Sequence, residues 1–106
     1  MADSLVLDIY KATQHFPPEE RYGLQAQIRR ASVSIAANIV EGSARRGERE
    51  YRSFLNVAAG SSSELRYLLD VCHRLGFMST PDAQSFDARS RELIAGLVRL
   101  IASLEP

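Results

Sequence analysis

The residues able to do chemistry are few in this sequence, and their spacing keeps them apart. Cys72 and His73 are neighbours, so on a helix their side chains point in different directions. Asp70 and His73 can meet across one helical turn, but such a pair usually lies on a helix surface. Gly60 begins a Gly-Ser-Ser-Ser run inside a helical pattern, so the run is neither a nucleophile elbow nor a phosphate loop. We therefore predict no catalysis, no cofactor and no small-molecule substrate.

Metal binding has equally little support. His15 and His73 are the two histidines, and neither follows a glutamate at the Glu-x-x-His spacing of bundle-core metal sites. Cys72 is the single cysteine, which excludes an intramolecular disulfide and a cysteine cluster. We predict no metal site.

Two polar residues, Asn38 and Glu41, stand three positions apart within an apolar helical stretch. Buried polar groups must be hydrogen-bonded, and one such network can fix the register of packed helices. We interpret the pair as a structural polar network that ties helix ends together. The alternative is a polar functional site.

Arginine is concentrated in residues 21–52, which contain seven arginines against three glutamates. Acidic residues precede arginine by four positions, the spacing of helical ion pairs, at Glu41–Arg45, Glu48–Arg52, Asp70–Arg74 and Asp87–Arg91. Four of the arginines without such a partner are predicted to cluster around one end of a central helical hairpin: Arg29, Arg30, Arg46 and Arg49. Such a cluster could bind the phosphates of RNA. The alternative is a solvated face, or ion pairs between subunits.

The elements that must position these residues follow from apolar residues spaced three and four apart. We predict an all-α protein with one domain, residues 1–106, folded as an antiparallel up-down-up-down four-helix bundle. The first helix is predicted to begin at an Asp3-Ser4 cap and to stop at Pro17-Pro18. The others are expected at about 18–41 with Gly42 as C-cap, at about 48–75 before Gly76, and from Thr80-Pro81 onward.

The second predicted helix is apolar on two sides. Its core stripe comprises Leu24, Ile28, Ala31, Ile35 and Ile39. The opposite face is also apolar or small and comprises Val33, Ala36, Ala37 and Val40. A helix that is apolar all round is buried all round, so this second face is predicted to contact another subunit. The broad apolar stripe of the fourth helix supports the same homo-oligomer.

Composition limits the cellular setting. The formal net charge is zero, and no apolar run approaches the roughly 18 residues of a membrane span. The N-terminal segment has no basic region of the kind that begins a signal peptide. We expect a cytoplasmic protein without a membrane partner.

The central stretch also resembles a known family, the four-helix-bundle 23S rRNA-intervening-sequence proteins. Relatives of that family include the accessory variability determinant of diversity-generating retroelements. The resemblance rests on Gln27-Ile28-Arg29-Arg30-Ala31, Ser34-Ile35, Asn38-Ile39-Val40-Glu41-Gly42, Arg46, Glu50, Phe54-Leu55, Ala58, Gly60-Ser61 and Glu64-Leu65.

The resemblance implies an antiparallel bundle that assembles as a ring-shaped homopentamer without known catalysis. Its retroelement relatives bind a reverse transcriptase and nucleic acid, which makes both possible partners here. Three features depart from the family pattern. Ala36 stands where the family usually has proline, and Tyr51 stands where phenylalanine is common. The nucleic-acid-binding relatives are strongly basic, whereas this chain is neutral.

Overall fold

The computed structural model of the protein describes residues 1–104. This part of the chain contains four α-helices and one short 3-10 turn, Pro18–Glu20, and no strand. The helices are α1 (Ala2–Ala12), α2 (Leu24–Ser43), α3 (Glu48–Arg74) and α4 (Thr80–Ser103). The predicted all-α class is confirmed. No helix in residues 1–104 is both long and apolar enough to cross a membrane.

Polar contacts between the helices fix their directions. The contacts are Arg30–Glu64 and Ser34–Ser61 between α2 and α3, and Arg66–Asp87 and His73–Thr80 between α3 and α4. In both pairs of helices the partner's number falls as the residue number rises, so neighbouring helices are antiparallel. An ion pair of 2.9 Å between Asp8 and Arg89 joins α1 to α4 and closes the bundle.

One apolar core runs through the bundle, and the predicted stripe of α3 lies inside it. Leu55, Leu65 and Cys72 are each fully buried. The stripe predicted for α4 is correct at Phe86, Leu93 and Leu97, but Leu100 is 37% exposed.

The predicted start of the second helix is wrong. Pro18–Glu20 forms a separate 3-10 turn, and α2 begins at Leu24 after Gly23, whose φ of −105° and ψ of −114° are not helical. The carboxylate of Glu20 accepts a 3.3 Å hydrogen bond from the Leu24 amide. This bond satisfies one of the free amides at the start of α2.

Two caps also differ from the prediction. Ser4 lies inside the first turn of α1, and its hydroxyl donates to the Met1 carbonyl oxygen instead of accepting from an amide. The N-cap of α4 is Ser79, whose side chain accepts from the Asp82 amide at 3.3 Å. Thr80 is therefore the first helical residue.

The two glycines predicted to stop helices behave differently. Gly76 has a φ of +82°, and the next amide, that of Phe77, donates to the Cys72 carbonyl at 2.9 Å. This is the expected glycine stop. Gly42 does not stop α2, which continues through Ser43. It is buried, and a Cβ at this position would lie 2.9 Å from the Cβ of Phe54.

This close approach makes a testable prediction for Gly42. The change Gly42→Ala is expected to destabilise the protein by about 1–3 kcal/mol, because the added methyl group overpacks the contact with α3. Gly60 is the matched control, since it is exposed in α3 and nothing lies within 4 Å of its added Cβ. Gly60→Ala is expected to stabilise by roughly 0.5–1 kcal/mol. Urea unfolding measures both, and equal effects would contradict the close approach at Gly42.

Candidate functional site

Asn38 belongs to a polar network that differs from the predicted one. The side-chain amide of Asn38 donates, through Nδ2, to the Ser34 carbonyl oxygen at 2.8 Å. The Ser34 hydroxyl in turn lies 2.8 Å from the Ser61 hydroxyl, which joins α2 to α3. Glu41 is not part of this network: it is exposed and pairs with Arg45 at 2.7 Å. The expectation of an Asn38–Glu41 pair is therefore wrong, although Asn38 does belong to a contact between helices.

Arg29 faces α1 and is engaged there. Its Nε donates to the Thr13 hydroxyl at 2.9 Å, and its Nη2 donates to the Tyr10 carbonyl at 3.1 Å. The guanidinium also stacks over the Tyr10 ring, 4.5 Å from its centroid. A side chain with these contacts holds α2 against α1 and has little freedom to reach a separate ligand.

Arg30 faces the opposite neighbour and forms a 3.0 Å ion pair with Glu64 of α3. Arg46 and Arg49 lie beyond the C-terminal end of α2, about 20 Å or more along the helix from Arg29. Both are exposed, and neither makes an ion pair within residues 1–104. The structure therefore does not bring the four arginines into one cluster. Arg46 and Arg49 lie three positions apart in the sequence, at the connection between α2 and α3.

Three of the four predicted ion pairs along the helices form: Glu41–Arg45, Asp70–Arg74 and Asp87–Arg91. The fourth arginine, Arg52, instead donates to the Leu104 carbonyl at 3.4 Å, near the end of α4. Exposed pairs of this kind contribute about 0–1 kcal/mol each, so they support the helices without defining a site.

The nucleophilic and titratable groups singled out in the sequence lie in unreactive surroundings. Cys72 is fully buried; burial first, and the charge of Glu20 second, raise the pKa of its thiol to about 11. The thiol therefore stays protonated near neutral pH. His73 lies 3.1 Å from the Thr80 hydroxyl, and Asp70 pairs with Arg74 instead of His73. Within residues 1–104, no three His, Cys, Asp or Glu side chains form a group able to hold a metal ion.

The most distinctive surface is an open apolar groove between α1 and α2, with a volume of about 640 Å³. The four residues predicted as a subunit contact, Val33, Ala36, Ala37 and Val40, line its α2 wall. Val33 is 42% exposed and Val40 is 64% exposed. The second apolar face of α2 is thus uncovered in the single chain.

The α1 wall of this groove was not predicted. It is formed by Val6 and Leu7, and Leu7 is 62% exposed. In the sequence these residues directly follow Leu5, which is buried in the core. Which side of a short helix faces the core cannot be read from apolar content alone. Asp3 and Glu41 stand at the polar edge of the groove.

The fold and this surface define a class, that of small helical bundles with an exposed apolar interaction groove. A family model described as 23S rRNA-intervening sequence protein matches residues 1–99. The chain belongs to this family. Among curated proteins none matches it.

A solved structure shows the same fold. It is a protein of unknown function from the S23 ribosomal protein family of Bacteroides thetaiotaomicron VPI-5482. The two chains superpose with a TM-score of 0.87 at 22% sequence identity, over 95% of this chain and 91% of the other. At this identity the likeness establishes the fold.

The different roles of the arginines can be tested by their effect on stability. We expect Arg29→Ala to lower the free energy of unfolding by about 1–3 kcal/mol, because it removes the bonds to Thr13 and Tyr10. The matched change Arg46→Ala alters an exposed arginine and should stay within about 0.5 kcal/mol of the parent. Thermal and urea unfolding measure both variants. Equal stability of the two would contradict a structural role for Arg29.

Proposed function

We propose that this protein is a non-catalytic, self-assembling scaffold in which the α1–α2 groove is a contact between subunits. The single observation that carries this proposal is the exposure of contiguous apolar side chains along the groove. Val40 and Leu7, on opposite walls, are 64% and 62% exposed in the isolated chain. Large apolar patches on small proteins mark interaction sites, because leaving them in water is unfavourable.

The chemistry of the groove favours a protein partner over a small polar ligand. Its walls are aliphatic, and the charged groups at its edge are the carboxylates of Asp3 and Glu41. Among residues 1–104, no arginine, lysine, histidine or hydroxyl group lines the groove, so these residues supply no cation to hold a phosphate. An aliphatic surface of another subunit would cover it and gain roughly 25 cal/mol for each Å² of apolar area removed from water.

A second copy of the same chain is the partner that we propose. Most soluble oligomers are homo-oligomers with closed symmetry. The family resemblance of the central helices implies a ring of five subunits. In such a ring every groove is covered and no apolar surface of this kind stays in water.

The change Val40→Asp tests the groove directly. It places an unpaired carboxylate in an apolar contact. The free energy of association then becomes less favourable by about 3–5 kcal/mol, so association weakens more than a hundredfold. We expect the assembly to dissociate to monomers at micromolar concentration in sedimentation velocity. Val40 is exposed in the single chain, so the helical content should be unchanged by circular dichroism.

Ala26→Asp is the matched control for this change. Ala26 is exposed on α2 about two turns before Val33, the first α2 residue of the groove, and it does not line the groove. Its variant should keep the parent's sedimentation coefficient. If Val40→Asp also keeps it, the groove is not a contact between subunits.

A second candidate function, RNA binding, is favoured by the placement of Arg46 and Arg49. Both are exposed near the connection between α2 and α3, and neither is neutralised by an ion pair within residues 1–104. Two such charges bind phosphate weakly in one subunit, but a ring would repeat them and gain avidity. An RNA-containing complex, including one with a reverse transcriptase, is the partner class for this alternative.

The double change Arg46→Glu with Arg49→Glu tests the alternative. RNA binding by the parent should weaken steeply as salt rises, because each phosphate contact releases counterions. The double variant should lose this binding and keep the assembly size, since neither residue lines the groove. Mobility shifts with a structured RNA at low and moderate salt measure the effect. Absent or salt-independent binding by the parent would contradict RNA binding and leave scaffolding alone.

A further inference from the structure

We infer that the assembly is head-to-tail: the α1–α2 groove of one subunit receives the exposed face of α4, centred on Val98, from the next subunit. This inference rests on the proposed self-assembly and specifies which two surfaces meet. It follows from the position, height, shape and charge of the two surfaces.

Val98 belongs to a second apolar surface. It is 54% exposed, and Ile94 and Ile101, one turn away on either side, are half-buried beside it. The same side of α4 carries Asp87, which pairs with Arg66 of α3. The Val98 surface therefore lies on the α3–α4 side of the bundle, whereas the groove lies on the α1–α2 side. In a four-helix bundle with neighbours in chain order these are opposite sides.

The two surfaces also lie at the same height along the bundle. The register between α3 and α4, fixed by Arg66–Asp87, places Val98 level with Leu55 of α3. The register between α2 and α3, fixed by Ser34–Ser61, places Leu55 level with Val40. Val40 itself lines the groove. One subunit can therefore place its Val98 surface against the next subunit's groove without a shift along the bundle axis.

Shape distinguishes this pairing from a face-to-face dimer. The α1–α2 surface is an open groove between two helices, whereas Val98 lies on the exposed side of one helix, and the side chains of one helix pack into the groove formed by others. Contacts made between different surfaces generate rings when the rotation closes, and they require the two surfaces to lie on different sides of the subunit.

Charge favours the same pairing. At the groove edge Glu41 pairs with Arg45, whereas Asp3 makes no ion pair within residues 1–104, so two facing grooves would bring two Asp3 carboxylates together. On the other surface Arg99, next to Val98, is exposed and also makes no ion pair within the described residues. An acidic edge against a basic surface aids association and fixes the orientation of the partners.

Chemical cross-linking tests the pairing. The double variant Val40→Cys with Val98→Cys is treated with a short bis-maleimide and run on a denaturing gel. Head-to-tail contact places the thiol at position 40 of each subunit beside the thiol at position 98 of the next. We expect a ladder of covalent multimers that ends at the size of the assembly. Each single variant should stay monomeric, as should the parent, whose Cys72 is buried.

Two cross-linking results would overturn the inference. Covalent dimers from Val40→Cys alone would show that two grooves face each other. The absence of multimers from the double variant would show that the Val98 surface does not enter the groove.

A charge on the Val98 surface separates this inference from the proposed function. Val98→Asp should dissociate the assembly as Val40→Asp does, whereas Ala88→Asp, an exposed control on α4, should not. If Val40→Asp dissociates the assembly and Val98→Asp does not, self-assembly through the groove stands and the head-to-tail pairing is wrong. If neither variant dissociates it, the proposed groove contact itself is wrong.

Discussion

The close contact between α2 and α3 is the constraint on which the rest of the bundle depends. Small groups make it possible: Gly42 lies under Tyr51 and Phe54, and the hydroxyls of Ser34 and Ser61 meet at 2.8 Å. Packing at this distance fixes both the separation and the register of the two helices, because a larger group at these positions would force the backbones apart. Once α3 holds one side of α2, the opposite side of α2 is left to α1, a helix of 11 residues that covers only part of it. The apolar groove is the part that remains uncovered.

Spacing alone was enough to predict the long helices, because their core stripes repeat over many turns. The stripe of α3 from Leu55 to Cys72 is a clear example, and the stop at Gly76 follows from local backbone chemistry. Gly42 shows the limit of such reasoning. A glycine near a helix end predicts a cap, and only the position of α3 reveals that this glycine makes room for Tyr51 and Phe54.

The candidate site divides in the same way. The α2 wall of the groove was predictable, because Val33 and Val40 lie opposite a complete core stripe. The wall supplied by Leu7 depends on how α1 rotates against α2, which the sequence does not specify locally. The same holds for the arginines: partners four positions apart can be read directly, whereas the partners of Arg29 and Arg30 lie on other helices. An aliphatic groove beside a neutral overall charge suits self-association better than phosphate binding, which depends on a dense array of cations.

The mass of the parent protein in solution tests self-assembly most directly. Native mass spectrometry and sedimentation equilibrium at micromolar concentration should show one discrete species whose mass is a whole multiple of the 11.8 kDa chain. A head-to-tail ring predicts a closed assembly of at least three subunits that does not grow as concentration rises. A stable monomer would contradict self-assembly, and a dimer that gains no further subunits would contradict a ring.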